Sequence, residues 1–79
     1  RYKSEWHYDV AINNKPCTFM TTAIYYVNTC DGYTEFDDGT RVDCIANRFV
    51  RFSSDKKHRG VSQLNSKTKC VINLNYFTF

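Results

Sequence analysis

The first half of the chain is dominated by the stretch Cys17-Thr-Phe-Met-Thr-Thr-Ala-Ile-Tyr-Tyr-Val-Asn-Thr-Cys30. Its larger apolar residues are Phe19, Met20, Ala23, Ile24 and Val27. Their mutual spacings match one face of a helix better than the alternation of a strand. Thr18 is a suitable N-cap, and Asp31-Gly32 supplies a stop whose glycine tolerates a positive φ. The pattern predicts an amphipathic helix over 18–29, although Thr, Ile, Tyr and Val individually favour strands.

The remainder of the chain is predicted to form short strands. Alternation, or a high content of β-branched and aromatic residues, indicates strands at 6–12, 33–36, 41–45, 48–52, 58–64 and 70–79. Turn residues separate most of these segments, with Asp37-Asp38-Gly39-Thr40 as a hairpin turn. One helix packed on a curved antiparallel sheet defines an α+β fold, and 1–79 forms one domain.

Four cysteines stand in this chain of 79 residues. A domain of this size buries only about 60% of its unfolded surface, so covalent staples stabilise it. An even number of widely spaced cysteines predicts two disulfides and therefore a secreted protein. The sequence allows three pairings. Because Cys30 and Cys44 flank the Asp38-Gly39 turn, we favour Cys30–Cys44 together with Cys17–Cys70.

Basic residues are concentrated in the second half of the chain, where a solvated face and a binding surface are both open interpretations. The candidate RNA-binding or partner-binding residues are Arg48, Arg51, Lys56, Lys57, His58 and Arg59. Like charge beside His58 is expected to disfavour its protonated form. Neither histidine has ligand spacing to a cysteine, so we expect no metal and no cofactor. No apolar run is long enough for a membrane span.

The order of elements resembles the small fungal guanine-specific ribonucleases, and still more the ribonuclease-like effectors of powdery mildews, the RALPH group. The resemblance rests on Tyr8-Asp9-Val10, the predicted helix, Gly32-Tyr33, the segment from Arg48 to Val61, and Lys69-Cys70. Val10 stands where that group has a cysteine. The resemblance implies a ribonuclease-like fold, secretion and delivery into host plant cells.

The ribonucleases cleave RNA with two His, a Glu and an Arg, of which the resemblance retains only the Arg, at Arg48. The other positions fall near Glu35, on the strand that contains Val42, and near Gln63. With no acid–base pair, we expect no catalytic residue and no ribonuclease activity. The hypothesis is a monomeric, non-enzymatic effector that binds a host protein such as a plant immune receptor, or RNA weakly and without sequence preference.

Two alternatives stay open. The first is an active small ribonuclease with rearranged catalytic groups, namely Glu35, His58 and Arg48. The second keeps the effector role on another fold. Some blast-fungus effectors, the MAX group, are six-stranded β-sandwiches with a cysteine just before the fifth strand, and Cys70 resembles that cysteine. This alternative requires residues 18–29 to form a strand.

Overall fold

The computed structural model describes residues 2–13, 15–16 and 18–77, and none of these residues is helical. Within these described residues there are eight strands, of which two are short and six are longer. The short ones are β1 (Ala11–Ile12) and β2 (Lys15–Pro16). The longer ones are β3 (Met20–Tyr26), β4 (Tyr33–Phe36), β5 (Arg41–Asp43), β6 (Arg48–Ser53), β7 (His58–Val61) and β8 (Val71–Phe77).

The longer strands make two three-stranded antiparallel sheets. The first sheet has the order β6–β3–β8 and the second the order β5–β4–β7. In the first sheet, Ile24 of β3 lies opposite Val50 of β6 and Asn73 of β8. In the second, β4 pairs with β5 and β7, so that Phe36 lies opposite His58. The architecture is all-β.

The predicted helix over 18–29, and with it the α+β fold, is wrong. The segment contains β3, the central strand of the first sheet. Two residues of the predicted helix face, Phe19 and Val27, are 60% and 42% exposed, whereas Thr22 and Tyr26 are buried. A strand with neighbours on both sides can be covered on both faces, and its apolar residues then need not alternate. The strand preferences of Thr, Ile and Tyr agree with the observed secondary structure of this segment, and the helical spacing does not.

The later strands were predicted more successfully. Strands form within each predicted segment from residue 33 onwards, although β5 and β7 end earlier than expected. The Asp37–Thr40 turn is confirmed: Phe36 N–H donates to Thr40 O (2.8 Å), and Gly39 has a φ of 93°. The predicted strand over 6–12 is mostly irregular and ends in β1. Cys70 directly precedes β8, which is the sixth of the longer strands. In the MAX group the corresponding cysteine precedes the fifth strand, so the two positions differ.

Buried side chains fill the space between the two sheets. Ile24, Tyr26, Cys30 and Cys44 form a buried cluster, against which side chains of β5 and β6 pack. The hydroxyl groups of Tyr26 and Thr34 form a 2.7 Å hydrogen bond that joins β3 to β4, and hence one sheet to the other. This combination of apolar contact and a satisfied polar pair is typical of a face-to-face packing of two sheets.

Candidate functional site

The predicted basic residues do not form one free surface. Lys56 Nζ lies 2.8 Å from Asp38 Oδ2. This contact, together with the hydrogen bonds from Thr40, holds the pKa of Asp38 well below its usual range. The Arg48 guanidinium donates to the Asp43 carbonyl (3.2 Å). Arg51 is exposed on the outer side of β6. Arg48, Arg51 and Lys56 therefore do not act together as one surface.

The other three candidates are held by the second sheet and the N-terminal segment. Arg59 donates from Nε to Glu35 Oε1 (2.8 Å) and stacks on Trp6, with 4.1 Å from Cζ to the ring centroid. Lys57 Nζ lies 5.6 Å from the ring centroid of Tyr8. His58 is only 3% exposed and belongs to the inter-sheet space. Local pairing reduces the charge that this hairpin presents to a polyanion.

Glu35 and His58, the pair considered for a rearranged ribonuclease, lie on opposite faces of the second sheet. Glu35 is opposite Arg59 in the β4–β7 register, and His58 is opposite Phe36. Directly opposite residues share a face, while successive residues along a strand alternate between faces. The Glu35 carboxylate and the His58 imidazole therefore cannot act on the same phosphate.

The structure brings His7, Asp9 and His58 together at one margin of the inter-sheet space. Asp9 Oδ1 lies 3.3 Å from His7 Nε2 and 3.0 Å from His58 Nε2. The backbones of His7 and His58 form an antiparallel bridge, which sets the imidazoles side by side with ring centroids 4.5 Å apart. The sequence contains one indication of this cluster. Residues two apart in an extended segment, such as His7 and Asp9, face the same way.

Hydrogen bonds fix the orientation of both imidazoles. His7 Nδ1 donates to the Glu5 carbonyl (2.8 Å), and His58 Nδ1 donates to the Lys56 carbonyl (3.1 Å). A carbonyl oxygen only accepts, so Nδ1 carries the proton in each ring and Nε2 faces Asp9. His58 Nε2 and Asp9 Oδ2 are buried without a hydrogen-bond partner among the described residues. The 3.0 Å contact between His58 and Asp9 is close but poorly aligned.

Asp9 and His58 shift each other's pKa. Its interaction with His58 lowers the pKa of Asp9, against the opposing effect of burial. Burial alone would lower the pKa of His58, but Asp9 and the Lys56 carbonyl outweigh it and raise that pKa. The expectation that like charge disfavours protonated His58 is wrong, because the nearest charge is the carboxylate and not the adjacent basic residues.

A cleft of about 210 Å³ adjoins this cluster and is lined by His7, His58, Gly60, Lys69 and Asn73, among others. Lys69 Nζ donates to the carbonyls of Tyr33 (3.3 Å) and Val61 (3.4 Å), and burial lowers its pKa. The cleft is therefore small and polar at one end.

Cys30, Cys44 and Cys70 are present as free thiols, and Cys17 lies outside the described residues together with its predicted pairing to Cys70. Cys30 N–H donates to the Cys44 carbonyl (3.1 Å). Burial raises the pKa of the Cys44 thiol to about 11, and contact with the Cys30 thiol adds to the shift. The two cysteines of the favoured pair are thus neighbours in the buried cluster, and the Cys44 thiol donates to the Asn28 carbonyl (3.0 Å).

We predict that the chain recovered from an oxidising secretory pathway contains the Cys30–Cys44 disulfide, because the two residues are buried next to each other and their backbones are hydrogen-bonded. The measurement is mass spectrometry of proteolytic fragments after alkylation of the unfolded, unreduced protein. Cross-linked fragments that contain Cys30 and Cys44 are expected, and a reduced sample is the control. Recovery of both residues in alkylated form would contradict the pairing.

The strand β8 lies at the edge of the first sheet, where β3 is its only strand partner in the described chain. Val27 N–H donates to the Cys70 carbonyl (2.9 Å), so Cys70 and Val27 form a hydrogen-bonded pair. Such pairs alternate along an antiparallel ladder. The backbone groups of Val71, Asn73 and Asn75 therefore point away from β3 and towards the open side.

The outer face of β8 is apolar. Ile72, Leu74 and Tyr76 alternate along the strand and share this face, and they are 51%, 46% and 37% exposed. Phe49 of β6 lies opposite Tyr25 on the same face and is also half exposed. Contiguous exposed apolar side chains on a small domain indicate an interaction surface.

The other sheet edges are protected. The segment before β1 covers part of the β7 edge, where Ser4 N–H donates to Gly60 O and His7 N–H to His58 O, both at 2.9 Å. The β6 edge carries Arg48 and Arg51, and β5 has only three residues. Natural edges are commonly blunted by charge, proline, short length or a covering segment. In contrast, β8 has seven residues, no charge and no proline.

No protein-family model, curated protein or solved structure matches the chain. In the part of the chain that the structure describes, no helix has the length and apolar character needed to cross a membrane.

Proposed function

We propose that the chain is a secreted effector-type interaction protein that binds a host protein by adding a strand of that protein to the edge of β8. The observation that carries the proposal is the unprotected seven-residue edge strand beside an apolar outer face. Main-chain hydrogen bonds at a sheet edge supply affinity, and neighbouring side chains supply specificity.

The all-β fold supports the MAX-type alternative over a ribonuclease-like scaffold. Six longer strands in two antiparallel sheets fit that alternative, and so does a strand within residues 18–29, whereas Cys70 precedes the sixth of these strands and not the fifth. We infer a non-enzymatic protein that acts in the host plant cell, with a plant immune receptor as one class of partner. Local pairing of the basic residues makes RNA the weaker candidate partner.

The test removes the outward N–H of Asn73 without changing the apolar face. Asn73→Pro deletes this donor but keeps the ladder to β3, since proline is tolerated at a strand edge whose N–H faces solvent. Asn73→Ala retains the donor and is the matched control. Immobilised wild type and both variants are incubated with plant cell extract, and the bound proteins are identified by mass spectrometry. We expect a protein captured by wild type and Asn73→Ala to be reduced at least about tenfold with Asn73→Pro, a change of about 1.4 kcal/mol.

Three outcomes would contradict the proposal. Equal capture by Asn73→Pro would show that the β8 edge is not the docking site. Capture that is lost after ribonuclease treatment of the extract, and with Lys56, Lys57 and Arg59 together changed to Ser, would identify RNA as the ligand. Association of the purified wild type into dimers that Asn73→Pro dissociates would identify a second copy of the chain as the occupant of the edge.

A further inference from the structure

We propose that His7, Asp9 and His58 form a binding site for one Zn²⁺ ion, with a fourth coordination position open to water or an external ligand. The ligand atoms are His7 Nε2, a carboxylate oxygen of Asp9, and His58 Nε2, which all lie within 4.8 Å of one another. Two imidazoles and a carboxylate are among the donor sets that zinc accepts with three protein ligands.

The separations of these atoms fit a common ion. Zinc lies about 2.0–2.2 Å from nitrogen and oxygen ligands, so two ligands at a tetrahedral angle are about 3.3 Å apart. Asp9 Oδ1 is 3.3 Å from His7 Nε2 and 3.0 Å from His58 Nε2. The two separations that involve Asp9 therefore suit one ion, and the two imidazole Nε2 atoms, which lie within 4.8 Å of each other, must come to a similar spacing when the ion binds.

The orientation of the imidazoles also matches metal ligation. Metal-bound histidines almost always donate their other ring N–H to a carbonyl or carboxylate, which directs the free lone pair to the ion. Both His7 Nδ1 and His58 Nδ1 donate to backbone carbonyls in this way. In the described chain, His58 Nε2 is buried and has no hydrogen-bond partner, although Asp9 Oδ1 is close. An ion between the two groups would satisfy both.

Access and selectivity follow from the surroundings. The His7 side chain is 43% exposed while that of His58 is 4% exposed, so the ion is reached from the His7 side. The nitrogen donors favour zinc and related transition metals over Mg²⁺ and Ca²⁺, which take oxygen ligands. Bound metal would tie the N-terminal segment to β7, where the His7–His58 bridge already joins their backbones.

The experiment titrates Zn²⁺ into the untagged, chelator-treated chain at neutral pH and measures binding by calorimetry. We expect one ion per chain, at least about 100-fold weaker binding in His7→Gln and in Asp9→Asn, and no response to Mg²⁺. Glu5→Gln, which changes a neighbouring acid outside the ligand set, is the control and should bind as wild type does. His7→Gln alters an exposed side chain, so it remains informative if a change at Asp9 impairs folding.

A second readout separates this site from the thiols. Co²⁺ bound by nitrogen and oxygen ligands has visible bands without the intense near-ultraviolet charge-transfer absorption that thiolate ligands produce. We expect the former spectrum, and its loss in His7→Gln. Thiolate absorption, unchanged affinity in both ligand variants, or the absence of saturable binding to the folded wild type would each overturn the proposal. In the last case the three residues form an ion pair only.

Discussion

Tyr26→Ala is expected to lower the free energy of unfolding by about 3–5 kcal/mol, as for other large aromatic residues removed from a core. Tyr26 is fully buried (0% exposed) and belongs to the cluster that joins the two sheets. A small domain has a stability near the lower end of about 5–15 kcal/mol. We therefore expect this variant to be largely unfolded at room temperature, as measured by urea denaturation followed by circular dichroism.

The hydroxyl of Tyr26 is tested separately. Tyr26→Phe leaves the Thr34 hydroxyl buried without its 2.7 Å partner and is expected to cost about 1–2 kcal/mol. Combining it with Thr34→Val removes both polar groups, so the double variant should be more stable than the sum of the single effects predicts. Phe49→Ala, at a half-exposed aromatic residue, is the control and should cost less than about 1 kcal/mol. Wild-type stability in Tyr26→Ala would contradict the inter-sheet position of this side chain.

Gly32→Ala is expected to cost about 1–3 kcal/mol, because the added methyl has no room. A Cβ at Gly32 would lie 2.8 Å from Val61 O, 2.9 Å from Lys69 Cδ and 3.3 Å from Gln63 N. The Lys69 side chain can move, but the Val61 carbonyl belongs to β7 and shifts only with the backbone. Gly32 O also accepts from Cys44 N–H (3.1 Å), so a displacement disturbs that contact as well.

Gly60→Ala is the matched control for this substitution. A Cβ at Gly60 meets only Lys69 Nζ at 3.6 Å and Ser4 Oγ at 3.9 Å, which are ordinary contacts. Alanine there restricts the unfolded chain, so its stability should equal that of wild type or exceed it by up to about 1 kcal/mol. Urea midpoints of the two variants provide the comparison. Equal midpoints would show that the crowding at Gly32 is relieved without cost.

The proposed binding edge is formed by the backbone of β8, whereas the proposed metal ligands lie outside this strand. The inner face carries Asn73 and Asn75, which point towards the inter-sheet space, where Asn75 accepts from the Thr22 hydroxyl (2.7 Å). The outer face carries Ile72, Leu74 and Tyr76. Docking would use the backbone of β8, and metal binding would use the side chains of His7, Asp9 and His58, so His7→Gln should leave the capture experiment unchanged although Asn73 lines the cleft beside the cluster.

Short-range chemistry determined much of the second half of the chain. Asp38 and Gly39 specify a tight turn, because Gly39 adopts a φ of 93° that other residues rarely take, and the strands on either side follow from it. The alternation of Ile72, Leu74 and Tyr76 was also readable from the sequence. Whether that face is buried or exposed was not, since alternation states only that the three side chains point the same way.

Tertiary structure alone decided β3 and the histidine–aspartate cluster. β3 is flanked by β6 and β8, so its burial depends on neighbours that are distant in sequence, and a helical spacing of its apolar residues arose without a helix. His7 and Asp9 share a face by their own spacing, but only the pairing of the N-terminal segment with β7 adds His58. Local preferences fix turns and single strands, whereas convergence of side chains requires the long-range register of the sheets.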